Sequence, residues 1–184
     1  MMKRIFGAIY ILASVLFLWY LVLPSPDFPE PPQDALQSQE PGDSEDLLVR
    51  RAYFTDLTRE EVLLHYQEQL SRGSVFSKMT YRLNYPPEEA STIIRDQTRS
   101  TFLEEIVHPF RESFYVNGFK AEHPADTILI EDKVWNQKVT VKYVQSSAIT
   151  RLAVAVFALV LVWVVISNWR QLFLSLVMKE NGKK

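Results

Sequence analysis

Cysteine is absent from this chain of 184 residues. Its absence excludes a disulfide scaffold, a thiol nucleophile, a Cys-ligated zinc or iron–sulfur centre and the lipidated cysteine of a bacterial lipoprotein. Glycine is scarce, and Gly7, Gly42, Gly73, Gly118 and Gly182 are scattered, so no glycine-rich phosphate loop can be assembled. A surplus of one charge is missing as well. Twenty basic residues face 22 acidic ones, for a net charge of −2, and the excess of acid over base in residues 24–150 argues against nucleic acid as an expected partner. The serines, for example Ser71, Ser91 and Ser113, lie in neither a G-x-S-x-G nor an S-x-x-K context, the two settings that would make a serine a nucleophile.

What the chain does have is charge asymmetry and two oily segments. Residues 24–150 hold 13 basic and 21 acidic residues, whereas the flanks hold 7 and 1. Ile5–Leu23 carries no charge, and at about 1.5 Å per residue such a helix reaches across the hydrocarbon of a bilayer. The run ends in Trp19-Tyr20 and meets Pro24 without an A-x-A cleavage pattern, so it is expected to stay as an anchor rather than to be removed as a signal peptide. The second run is unbroken from Leu152 to Ile166, apolar on every helical face, which distinguishes a span from a core helix with a polar stripe. Lys3 and Arg4 precede the first run; Arg170, Lys179, Lys183 and Lys184 follow the second; residues 24–49 contain no basic residue. Both termini are therefore expected in the cytoplasm and the intervening region outside it, with the bilayer as the first partner. The tail, "RQLFLSLVMKENGKK", is expected either to prolong the second helix or to lie in the interface.

The expected organisation is a short cytoplasmic N-terminus (1–4), a span (5–23), a linker (24–48), an extracytoplasmic α+β domain (49–147), a second span (148–168) and a basic, amphipathic cytoplasmic tail (169–184). The linker holds six prolines and seven acids, a composition that predicts an extended spacer. Arg50–Phe54 suggests a strand. "TREEVLLHYQEQLSRG" predicts a helix, with Thr58 and Glu61 as a capping box, Val62, Leu63, Tyr66 and Leu70 on one face, and Gly73 as its stop. "KMTYRLNY" alternates as a half-buried strand. "PPEEASTIIRDQTRSTFLEEIVHP" predicts a second helix, with prolines at its start and Pro109 at its end. "FRESFYVNGFK" suits helix or strand, with Asn117-Gly118 as a turn, and "TILIEDKVWNQKVTVKYV" predicts a hairpin. The predicted fold class is a membrane protein whose two transmembrane helices flank a small β-α-β-α-β-β domain with a mainly antiparallel sheet.

Candidate chemistry is thin. His65 reads as a half-exposed helix residue, and His123 precedes a proline in a loop. Glu105 and His108 would share a helix face, like one half of a di-iron carboxylate motif, but two ligands without a second pair make no metal site. The carboxylate pairs Glu60-Glu61, Glu88-Glu89 and Glu104-Glu105 read as solvated helix faces. Phe102, Phe110, Phe114, Tyr115 and Phe119, with Arg99, Arg111 and Lys120 among them, read first as core and second as an interaction patch. No catalytic, cofactor-binding or metal residue is assigned and no cofactor is expected. The expected function is a non-enzymatic interaction domain within an envelope assembly or membrane protein complex, with protein partners in the membrane or envelope. A small-ligand sensor stands second and an envelope hydrolase third.

Overall fold

A computed structural model describes residues 2–44, 48–71, 81–85, 100–121 and 123–181; for Met2, Lys3, Ser44, 81–85 and 170–181 it describes the backbone only. The chain divides into two compact units. One comprises Met1–Leu23 with Ser146–Lys184, and the other Pro24–Gln145.

The first unit is a pair of helices, α1 (Met2–Val22) and a C-terminal helix (Ala148–Asn181). Within them Arg4–Val22 and Ala148–Trp169 have mean hydropathies of 2.3 and 2.7, and each is long and apolar enough to cross a membrane. The two helices pack on each other through Tyr20, Leu21 and Ala155. Tyr10 donates to the Leu159 carbonyl at 2.5 Å and lies against Trp163. The C-terminal helix runs on through the tail to Asn181.

The second unit contains a six-stranded antiparallel sheet in the order β1-β2-β8-β5-β4-β3. Its strands are β1 (Leu36–Gln37), β2 (Arg50–Thr55), β3 (Tyr81–Tyr85), β4 (Phe102–Val107), β5 (Ser113–Lys120) and β8 (Gln137–Val144). A separate hairpin, β6 (Ile128–Ile130) with β7 (Lys133–Trp135), is inserted between β5 and β8. A single turn of helix, α2 (Pro41–Ser44), precedes β2, and α3 (Arg59–Ser71) follows it. The capping box forms as expected: Thr58 N donates to the Glu61 carboxylate at 2.8 Å, and Glu61 N donates to Thr58 Oγ1 at 3.3 Å. Val62, Leu63, Tyr66 and Leu70 are the buried face of α3. They pack with Tyr53, Phe102, Ile106, Phe114, Val116, Val139, Val141 and Tyr143 to form the core.

Four expectations are corrected. The second helix does not extend over Phe102–Val107, which is strand β4; residues 86–99 lie outside the described residues, as do Gly73 and the start of "KMTYRLNY". The misleading feature was burial on both sheet faces. Phe102 and Ile106 point to the core while Leu103 and Glu105 are buried on the opposite face, and a strand buried on both sides shows no alternation. Glu104-Glu105 is consequently a buried pair rather than a solvated face, and Glu105 and His108 share no helix. Asn117-Gly118 is not a turn: it lies inside β5, where Gly118 pairs with Phe102 and Val139. The expected single hairpin is three strands, because Ile128–Ile130 pairs with Lys133–Trp135 while β8 joins β5 and β2.

The fourth correction concerns the proline-rich stretch, which is held along the domain. Phe28 packs on the core, edge-on to Phe114 at 6.5 Å and under the Arg51 guanidinium at 4.3 Å. Glu30 N donates to Gln69 at 2.8 Å, and the Tyr143 hydroxyl donates to the Pro26 carbonyl at 3.1 Å. One aromatic and several side-chain hydrogen bonds thus supply what composition alone could not show. Replacing Phe28 with alanine is expected to cost the Pro24–Gln145 unit about 2 kcal/mol, in line with loss of a partly buried ring. Urea unfolding of that unit measures it, and an unchanged midpoint would mean that the stretch is not held by Phe28.

Candidate functional site

A cleft of 410 Å³ opens where the β2–α3 loop meets the β7–β8 corner, lined among others by Asp56, Arg59, Glu60, Phe102, Lys120 and Gln137. Its walls are set by local hydrogen bonds. Asn136 N donates to the Asp56 carboxylate at 3.1 Å, Asn136 Nδ2 donates to the Asp56 carbonyl at 3.2 Å, and the Gln137 amide donates to the Leu57 carbonyl. Lys133 Nζ bridges to Asp56 at 2.7 Å, and that ammonium holds the Asp56 carboxyl below its ordinary range. On the other wall Arg59, at the start of α3, crosses the Phe102 ring at 5.4 Å and pairs with the buried carboxylate of Glu104. Glu60 and Lys120 are exposed at the mouth.

This arrangement orders a surface. A nucleophile needs a base within hydrogen-bond reach, and a general acid needs a pKa moved toward neutrality. The histidines are dispersed. His65 Nε2 lies 3.0 Å from the Glu30 carbonyl and 2.7 Å from Gln69; His108 is buried with Nε2 2.8 Å from the Leu70 carbonyl; His123 leads into a turn of 3₁₀ helix. Glu105 is engaged with the Tyr115 hydroxyl, which burial and then that carboxylate push upward. Burial likewise raises the Tyr53 and Tyr66 hydroxyls, so these phenols stay protonated near neutral pH. Among the described residues no group of three or more His, Asp or Glu could hold a metal ion.

The aromatic stretch divides. Phe102 and Phe114 are core, Tyr115 and Phe119 are half-buried, and Phe110 alone is exposed, at 74%. Arg111 is buried against Glu112 at 3.2 Å; Arg99 lies outside the described residues. Two features escaped the sequence. One is the cleft, whose walls come from segments 45 to 80 residues apart. The other is the β6–β7 hairpin, where Leu129 and Val134 pair across the strands and remain 61% and 59% exposed. Glu131 and Asp132 turn that hairpin with φ values of 52° and 57°, positions that suit Asn and Gly better. Trp135 anchors it, buried beneath Lys133 Nζ at 3.7 Å with Nε1 donating to the Ile130 carbonyl at 3.3 Å.

A charged latch closes the other side of the domain. Lys138 Nζ lies 2.6 Å from both Glu40 and Asp43, and Ser38 Oγ donates to Asp43 at 2.5 Å. Burial pushes the Lys138 ammonium down, but the carboxylates of Asp43 and Glu40 outweigh it, and the pKa lies above 10.5. A raised lysine pKa contributes stability that is complete below the unfolded value and is lost as pH rises through the folded one. The stability advantage of wild type over Lys138→Met should therefore be constant up to about pH 10 and vanish at more alkaline pH. Paired melts across that range check it, and an advantage falling instead between pH 5 and 8 would exclude the latch as its source.

Comparison with protein-family models, curated proteins and solved structures gives no match to this chain.

Proposed function

We propose that this chain is a membrane-anchored, non-enzymatic interaction domain, with both termini cytoplasmic and the sheet domain outside, serving an envelope assembly or membrane protein complex. The observation that carries the interaction reading is the β6–β7 hairpin. It presents an exposed, cross-strand apolar pair, Leu129 and Val134, on a rigid base made by Trp135. Paired apolar side chains on a protruding hairpin lose solvation for nothing unless a partner covers them. The hairpin also extends from the end of the sheet opposite to Pro24 and Gln145: β5 and β8 run together from Ser113↔Val144 at the chain's entry and exit to Lys120↔Gln137 beside the hairpin. Eight residues of strand separate those ends by roughly 25 Å.

The cleft supports a second reading, capture of a small polar ligand, because its volume lies in the range of ligand pockets and it opens at that same end. Topology reporters and crosslinking separate the possibilities. A periplasm-only reporter should be silent after Lys184 and active within 24–150; the reverse pattern would overturn the orientation. A photocrosslinker at Leu129 should give discrete adducts in native membranes, absent from the Val134→Ser protein. If adducts fail while Lys120→Glu abolishes the cellular phenotype, ligand capture replaces protein interaction.

A further inference from the structure

The backbone of the β6–β7 hairpin indicates what kind of partner would use it. Ile130 and Lys133 flank the two-residue turn and pair with each other, as do Ile128 and Trp135. In an antiparallel ladder closed by such a turn these are the hydrogen-bonded pairs, so Leu129 and Val134, between them, point their N–H and C=O groups away from the neighbouring strand. Those outward groups make no hydrogen bond to the described backbone. The β7 end is tied to the body through Asp56, which Lys133 Nζ reaches at 2.7 Å and Asn136 N at 3.1 Å. On the β6 side Thr127 and Leu129 are exposed. Sheets blunt an open edge with lysine or proline, and residues 127–130, Thr-Ile-Leu-Ile, hold neither.

The turn supplies a second observation. Glu131 and Asp132 have φ values of 52° and 57°, in the left-handed region that L-residues enter at a cost and that Asn-Gly would enter with less strain. The chain keeps two exposed carboxylates there instead. Residues 124–136 hold three acids, Asp126, Glu131 and Asp132, and one base, Lys133, which is already paired with Asp56. Strain retained for the sake of charge points to a demand from outside the fold.

We infer that β6 accepts an added strand from a partner protein, an extended segment with an apolar residue to lie beside Leu129 and a basic residue to meet Glu131 and Asp132. The outward N–H and C=O of Leu129 bond its backbone, its apolar side chain covers the exposed one of Leu129, and charge sets which segment is chosen. Charge also selects against the other occupants. A second copy added antiparallel along β6 would bring acids of the 126–132 segment against the same acids, and an anionic lipid surface would repel the turn. The inference rests on the interaction reading of the hairpin and adds the partner's chemistry and its mode of attachment.

The test uses the full chain in nanodiscs of phosphatidylcholine and a labelled synthetic peptide, Lys-Thr-Val-Thr-Val-Thr-Lys, with binding read by fluorescence anisotropy. Replacing its lysines with glutamate, or its valines with serine, should weaken binding at least tenfold. Two further copies are N-methylated, one at the valines and one at the threonines. A strand uses one of its two edges, so one methylated copy should lose binding and the other should keep it. In the protein, Leu129→Pro removes an outward N–H and leaves the ladder bonds in place, and it should lower affinity at least tenfold without lowering the melting temperature. Glu131→Asn/Asp132→Gly should raise the melting temperature and still weaken the peptide several-fold. Failure of the lysine peptide to bind at roughly millimolar concentration, equal binding of the glutamate or both methylated copies, or indifference to Leu129→Pro overturns the proposal. A Leu129→Cys protein that forms a disulfide dimer across two β6 strands overturns it in favour of self-pairing. If the peptide fails while a photocrosslinker at Leu129 still gives discrete adducts in native membranes, strand addition is wrong and the interaction reading stands; if both fail, that reading falls with it.

Discussion

Replacing Gly118 with alanine is expected to destabilise the Pro24–Gln145 unit by about 3 kcal/mol, at the upper end of what overpacking costs. A Cβ built on Gly118 would lie 1.9 Å from Cε1 of Phe102, its partner across β4–β5, and 2.2 Å from Cζ. The ring cannot step aside freely. Phe102 is buried, packed in the core, and covered by the Arg59 guanidinium at 5.4 Å. A glycine inside a strand ordinarily weakens it, and here the neighbouring aromatic lies over the bare backbone and recovers the lost contact. Phe102→Leu should therefore rescue much of the loss in the double variant while being mildly destabilising alone. Urea unfolding of the four proteins gives the coupling, and strictly additive losses would refute the clash.

Arg59→Ala is expected to cost about 3 kcal/mol, because it removes a cation paired with a carboxylate that is held away from water. Glu104 has only 2% of its side chain exposed, whereas Arg59 is 39% exposed. The two partners therefore differ in consequence. Much of the loss reflects keeping a buried charge after its guanidinium is gone rather than the net worth of the pair, so removing the charge should restore most of it. The double variant Arg59→Ala/Glu104→Gln should lie closer to wild type than Arg59→Ala does. A double variant less stable than either single one would show that the carboxylate is held mainly by other groups. Because Arg59 lines the 410 Å³ cleft, Arg59→Ala should also widen it, and a ligand that enters there should report the change.

Much of the architecture was legible in the residues. The two uncharged runs, the capping box at Thr58 and Glu61, the buried face Val62-Leu63-Tyr66-Leu70 and the strand at Arg50 all depend on neighbours within a few positions, and local patterns report local geometry. Where burial came from elsewhere in the chain, those patterns misled. "FLEEIV" carries two acids and no alternation, so it resembled a solvated helix. Only the sheet reveals that one acid meets Arg59 from α3 and the other meets Tyr115 across β4–β5. Asn117-Gly118 has turn chemistry, and the strand won because Asn117 Nδ2 donates to Ser100 Oγ at 2.8 Å and the Phe102 ring occupies the glycine's free space.

Sequence alone determined the class of this protein: two membrane-competent helices around one acidic domain, and chemistry limited by the lack of cysteine, phosphate loop and clustered histidine. Those properties are sums or short-range periods, readable without knowing what touches what. Tertiary structure alone decided the strand order, the docking of the proline-rich stretch through Phe28, the cleft beside α3 and the contact of Arg111 with the Pro24 carbonyl. Each depends on contacts between segments tens of residues apart. The free energy of such contacts comes from desolvation and packing, which no window along the chain contains.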